Sequence, residues 1–155
     1  MIRDFERYHG VVLRRLVVEA PRALVIKQSD IYGRINAYAI NNGVFIYIKH
    51  CSKRLPPWQF NVTSEQVSEI RGLTEDPKYV WLALVCGIDG VVCLSYEEFI
   101  NLAVLGRAGT ATIRVDRSPR HRYRVSGKDF DIYHVKASGV SEVLNFAFEM
   151  EPTLC

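Results

Sequence analysis

Two clusters of basic and aromatic residues hold most of the chemistry this sequence could perform, and that chemistry is anion binding. The first is Lys53-Arg54-Leu55-Pro56-Pro57-Trp58, two cations beside a rigid turn and an indole. Such a loop suits a phosphate backbone with a stacked base; alternatively, Trp58 plugs the core and the cations are merely solvated. The second cluster holds Arg114, Arg117, Arg120, Arg122, Arg124 and Lys128 against Asp116 alone. It is net +5 in a chain whose formal net charge is +3, which leaves the remaining residues at −2. An extended backbone turns Arg120, Arg122 and Arg124 to one side and Tyr123 to the other. That side could grip phosphates bidentately, or it could be a solvated basic strand. Lys49, on a tyrosine-bearing strand, could bind phosphate or snorkel from a sheet edge.

Other familiar chemistries lack their residues. His9, His50, His121 and His134 include no H-x-x-x-H pair, and no G-x-S-x-G, Walker loop or G-x-G-x-x-G is present. Cys51, Cys86, Cys93 and Cys155 form no C-x-x-C pair and do not match a zinc finger or ribbon. No cofactor is implied by these motifs. The chain has 155 residues and 17.7 kDa, 48% hydrophobic and 24% charged, which is the composition of one soluble globular domain. No apolar run approaches a membrane span, and Met1 is followed by Arg3, Asp4, Glu6 and Arg7, unlike a signal peptide. A cytoplasmic protein with reduced thiols and no membrane partner is therefore expected.

The elements that position these residues follow from periodicity. Ile2–Val18 has Phe5, Val12 and Leu16 at helical spacing and arginines on the polar side, until Pro21 stops it. Ala23–Gln28 reads as a strand. Ile35–Asn41 and Val44–His50 flank Asn42-Gly43, the strongest short hairpin signal. A two-residue loop would set Asn41 opposite Val44, Tyr38 opposite Tyr47 and Asn36 opposite Lys49. Asn36, Tyr38 and Ile40 would then share a face with Phe45, Tyr47 and Lys49. Trp58–Val62 reads as a further strand. Thr63-x-x-Gln66 and Ser95-x-x-Glu98 are capping boxes, opening helices that carry Val67, Ile70 and Leu73 and that run through Leu105. Tyr79–Cys86 is a strand buried on both faces, turning at Asp89-Gly90 into Val91–Leu94, which would set Cys86 opposite Cys93 as free thiols. Strands at Thr110–Val115, Tyr123–Val125 and Ile132–Val135 and a helix at Ser141–Phe148 complete the chain.

The order helix, three-strand meander, helix, buried strand resembles the core of the restriction-endonuclease-like superfamily, known for its PD-(D/E)xK motif. His9-Gly10-Val11-Val12-Leu13, Tyr47 through Arg54, Pro57-Trp58-Gln59-Phe60 and Leu84 through Gly90 also look like a family of small uncharacterised microbial proteins. The resemblance implies a single α/β (α+β) domain over residues 1–155, with a nuclease-like α-β-β-β-α-β core at 1–105 and a β-rich extension at 106–155 packed on it. It also implies a site in which an Asp and a Glu-x-Lys triplet hold Mg²⁺. Here the triplet is Tyr47-Ile48-Lys49, with tyrosine in place of the acid. Asp30 in the preceding turn and Glu6 on the first helix are the remaining catalytic candidates beside Lys49. The leading expectation is a degenerate nuclease-fold module that binds nucleic acid or another polyanion through Lys49, Lys53, Arg54, Arg117, Arg120, Arg122 and Arg124, and has no metal. The alternatives are a divergent Mg²⁺-dependent nuclease and a protein-interaction or homodimerisation subunit.

Overall fold

The computed structural model describes residues 1–29, 36–41, 43–128 and 132–149. In chain order its elements are α1 (Asp4–Glu19), β1 (Ile26–Ser29), β2 (Ala37–Ile40), β3 (Val44–Cys51), β4 (Trp58–Thr63) and α2 (Ser64–Arg71). There follow β5 (Val80–Cys86), β6 (Gly90–Ser95), α3 (Tyr96–Leu102), β7 (Thr110–Asp116), β8 (Tyr123–Ser126), β9 (Tyr133–Lys136) and α4 (Ser141–Glu149). Both capping boxes form as expected. The Thr63 hydroxyl accepts from Gln66 N–H while Gln66 Oε1 accepts from Thr63 N–H, each at 3.1 Å, and Ser95 and Glu98 reciprocate in the same way.

Every residue of β5 is buried, so the strand must be covered on both faces. It lies inside a mixed five-stranded sheet of order β1-β2-β3-β5-β6, parallel to β3 and antiparallel to β6. On one face, Val12 and Leu16 of α1 and Val143, Leu144 and Ala147 of α4 pack over Ile46, Ile48, Ala83 and Val85. The other face is covered by a second, antiparallel sheet of order β4-β7-β8-β9. Trp58, Phe60, Ile113 and Tyr123 from that sheet meet Leu82, Leu84, Val92 and Leu94 from the first, with Ile70, Phe99 and Leu102 of α2 and α3 completing the layer. The chain is a mixed α+β domain with β5 as its common floor. One strand crosses the expected division at residue 105: β4 leaves the first sheet and pairs with β7 along its whole length, Trp58 opposite Val115 and Thr63 opposite Thr110.

Both tight turns are one residue longer than their Asn-Gly and Asp-Gly signals imply. In the first hairpin Ile40 faces Val44, Tyr38 faces Ile46 and Ala37 faces Tyr47. Asn41 is withdrawn from the ladder: it takes φ 50°, and both its N–H and its side-chain oxygen bond Val25 at 2.9 Å. A one-residue slip reverses every facing relationship, so Tyr38 lies on the opposite side of the sheet from Tyr47 and Lys49, which corrects the expected shared face. In the second hairpin Cys86 faces Gly90 and Cys93 faces Ala83, correcting the expected Cys86–Cys93 opposition. Cys51, Cys86 and Cys93 are free thiols; Cys155 lies outside the described residues. The third helix stops at Leu102, short of Leu105, and Leu73 follows α2 without belonging to it.

Gly87 explains the second turn. Its φ is +53°, its N–H bonds the Cys51 carbonyl at 2.8 Å, and a Cβ there would collide with the Lys53 carbonyl oxygen, which also accepts the Trp58 indole N–H at 2.8 Å. Only glycine lets the β5–β6 turn seat against the loop after β3. At the far edge, Lys136 is 6% exposed and gives Nζ to both Glu98 oxygens at 2.9 and 3.0 Å and to Glu142 at 2.6 Å, joining β9 to α3 and α4. Burial alone would lower the Lys136 pKa, but the two carboxylates outweigh it and raise it. Gly87→Ala should cost about 3 kcal/mol in urea unfolding through strain at positive φ plus the carbonyl clash. Lys136→Ala, which removes the counter-ion of the largely buried Glu98 carboxylate, should cost a similar ~3 kcal/mol, and calorimetry should show it as a lowered Tm without loss of two-state behaviour.

Candidate functional site

The second sheet has an inner and an outer face. Burial alternates along β4 and β7, with Trp58, Phe60, Val62, Ala111, Ile113 and Val115 turned inward. Gln59, Asn61, Thr112, Arg124, Tyr133 and Val135 are exposed on the outer face, across all four strands. The Arg124 guanidinium lies 3.8 Å from the Tyr133 ring centroid, a cation–π pair one strand apart. Thr112 donates to Asn61 at 3.0 Å, and Arg114 pairs with Asp116 at 3.2 Å. Lys128 is exposed at the end of this face, where Gln59, Thr112, Arg114 and Lys128 line part of a cavity of about 350 Å³. The result is an antiparallel platform bearing cations, amides and an aromatic, with the core-packed residues of its strands pointing the other way.

The arginines of the second cluster divide. Arg124 is on the platform, while Arg120 and Arg122 are exposed in the connection between β7 and β8, with Arg120 at φ 64°. Tyr123 turns inward between Arg122 and Arg124, as the alternation implies, and is fully buried. Arg117 goes elsewhere. Its Nη1 donates to Asp89 at 2.8 Å and to the Tyr123 hydroxyl at 3.0 Å, its Nε donates to the His121 carbonyl at 2.8 Å, and its guanidinium lies 4.6 Å from the Tyr123 centroid. Tyr123 also donates to Asp89. Burial would raise the Asp89 pKa, but the hydrogen bonds from Tyr123 and Arg117 prevail and hold it low, while burial and Asp89 together push Tyr123 up to about 12. Arg117 is thus a clamp between the β5–β6 turn and the second sheet, set apart from the expected phosphate stripe. Gly90 permits the approach, since a Cβ there would meet the Tyr123 hydroxyl at 2.5 Å.

In the first cluster Trp58 is 1% exposed and is a core plug. Lys53 Nζ donates to the Pro57 carbonyl at 3.2 Å, closing its own loop across the cis Pro56-Pro57 bond, and Arg54 is exposed beside it. Lys49 points toward α2 and donates to Gln66 Oε1 at 3.1 Å. Burial lowers its pKa, partly countered by the charge of Glu69, a carboxylate only 8% exposed. Glu69 was hidden in the sequence because it sits on the helix flank among ordinary charged residues. Glu6 is not brought to Lys49: it belongs to α1, across the sheet, where it caps Arg3 N–H at 2.9 Å. Asp30 lies outside the described residues. Among the described residues no three His, Cys, Asp or Glu side chains are grouped as metal ligands.

A second cluster, unforeseen from spacing, forms where α1 crosses β2 and β3. The Tyr8 ring stacks on His50 with centroids 4.3 Å apart and planes at 9°, and His9 Nδ1 lies 3.0 Å from the Tyr38 hydroxyl. Tyr38 reaches His9 only because of the register slip described above. Burial and then the neighbouring His50 lower the His9 pKa; for His50 burial also dominates, with Asp4 opposing and Lys49 adding to the fall. No helix of the described residues is long and apolar enough to cross a membrane. Compared with protein-family models, curated proteins and solved structures, the chain matches none.

Both histidines are harder to protonate folded than unfolded. Below the ordinary value of 6.5 the unfolded chain therefore takes up protons that the folded chain refuses, and stability falls as pH drops through that range. The urea midpoint should decline between about pH 7 and 5, and more shallowly in His9→Gln, because one of the two groups no longer titrates. Equal slopes in both proteins would show that His9 does not contribute.

Proposed function

We propose that this protein is a nucleic-acid-binding module that presents the outer face of the β4-β7-β8-β9 sheet to a single strand. The observation that carries the reading is the exposed Arg124–Tyr133 pair toward the β9 edge of a sheet face that is open to solvent among the described residues. An aromatic ring offers any base a stacking surface, and arginines at its margin attract the backbone without reading sequence. Arg122 and Lys128 extend the same positive margin, and their charges add to the field of Arg124 there. Lys53 and Arg54 sit with the loop after β3 and are secondary in this reading. The order of elements in the first half, with β5 parallel to β3, supports a nuclease-like core that has kept a binding role. Tyr47 in place of the triplet acid argues for binding over cleavage.

Fluorescence anisotropy with labelled single-stranded DNA and RNA of unrelated sequences tests the proposal. Arg122→Ala/Arg124→Ala should weaken all of them alike and reduce the slope of log K against log [salt] by about 1.4, two phosphate contacts at about 0.7 each. Its stability should change little, because exposed arginines contribute weakly. Arg117→Ala should do the reverse, lowering Tm while leaving the salt slope of the folded protein unchanged. A double variant that binds like the parent at every salt concentration would eliminate the platform as the binding surface.

A further inference from the structure

On the opposite side of the five-stranded sheet from the platform, a cavity of about 370 Å³ opens between α1 and the β5–β6 turn. Arg7, Val11 and Arg15 line one wall, and Val85, Gly87, Ile88 and Gly90 line the other. The three helix residues are four apart, so they share one face of α1, with the two guanidinium groups carried about 12 Å apart along it at 1.5 Å per residue. Between them the surface is apolar. Val85 forms the buried floor, and Ile88, 84% exposed, stands at the lip. Neither arginine is strongly engaged. Arg7 lies 3.9 Å from Asp4 with both side chains exposed, and Arg15 reaches the Ser138 hydroxyl only at 3.5 Å. Tyr8 lines the same cavity beside Arg7, its ring fixed by the stack on His50. The mouth lies at the carboxyl ends of the parallel strands β3 and β5, where open α/β sheets characteristically hold ligands.

We propose that this cavity binds an organic phosphate of the nucleoside diphosphate class. The diphosphate sits on Arg15, next to the Ser138 hydroxyl and the narrow Gly90 backbone. The sugar and base run over Val11 and Ile88, and the base ends against the planar guanidinium of Arg7 and the edge of Tyr8. Two arginines alone would suit any anion. The apolar floor and the aromatic end select one with a phosphate at one end and a flat, weakly polar body at the other. The site is independent of the second-sheet platform, shares no residue with it, and stands or falls separately.

Isothermal titration of the full chain with ADP, inorganic pyrophosphate and adenosine tests the assignment. ADP should bind saturably, pyrophosphate more weakly, and adenosine weakest. Arg15→Ala should weaken ADP and pyrophosphate alike by about tenfold or more, whereas Arg7→Ala should weaken ADP and spare pyrophosphate. Ile88→Glu, an exposed change that leaves the fold intact, should also weaken ADP by setting a carboxylate at the lip. Arg122→Ala/Arg124→Ala should bind ADP as the parent does, even where it has lost nucleic acid. Absence of saturable ADP binding by the parent overturns the proposal. So does an Arg15→Ala variant that binds like the parent, or loss of ADP binding in the platform variant alone.

Discussion

The fold depends on one demand: β5 offers seven consecutive buried residues, and neither of its faces tolerates water. At roughly 25 cal/mol per Å² of apolar surface, exposing either face would cost more than a domain of this size has to spare. Two helices cover one side and a complete second sheet covers the other, so three layers are the least the sequence can use. The connections follow from that demand. The chain leaves β3 early, through the proline loop, because β4 is needed in the second sheet, and it returns through α2 to lay β5 beside β3.

A sheet used as a cover is free on its far side. The inner residues of β4, β7 and β8 are committed to the core, and period-2 alternation along β4 and β7 then turns the side chains between them outward, as it does Arg124 of β8, although Ser126 on that side stays buried. Polar and basic residues can collect on that face at no cost to packing. A cation–π pair and an amide–hydroxyl bond stand on that face, each joining two neighbouring strands. The same geometry separates the arginines by function. Arg117 comes just after β7 and reaches back to Asp89, whereas Arg122 and Arg124 flank the buried Tyr123 on the outward side.

Polar groups fasten the seams between layers. Asp89, Arg117 and Tyr123 tie the β5–β6 turn to the second sheet; Glu98, Lys136 and Glu142 tie its far edge to α3 and α4; His9 and Tyr38 tie α1 to β2. Each is satisfied by a partner from another element, which is the condition for keeping such groups out of water. Glu98 serves twice, as the capping-box acid of α3 and as the counter-ion of Lys136. Burial would raise its pKa, but its bonds to Ser95 and Lys136 hold it below the usual carboxylate value.

Local rules in the sequence determined the elements. Capping at Thr63 and Ser95, alternation in β4 and β7, the unbroken apolar run of β5 and the inward turn of Tyr123 all depend on neighbours within a few residues. The concentration of positive charge was equally legible, being a matter of composition. Tertiary structure decided the rest, because it set register and partners. Asn41 was drawn to Val25, and Gly87 to the loop after β3, and each lengthened its hairpin by one residue. In the first hairpin that step moved Tyr38 from the face of Lys49 to His9; in the second the turn also moved back to Gly87–Asp89, so the partner of Cys86 became Gly90, three positions from Cys93. Which arginine becomes a clamp and which stays on the surface, whether β4 completes the first sheet or founds the second, and that Glu69 approaches Lys49 are long-range outcomes. No local pattern encodes them, because the side chain each residue meets comes from a strand or helix tens of positions away.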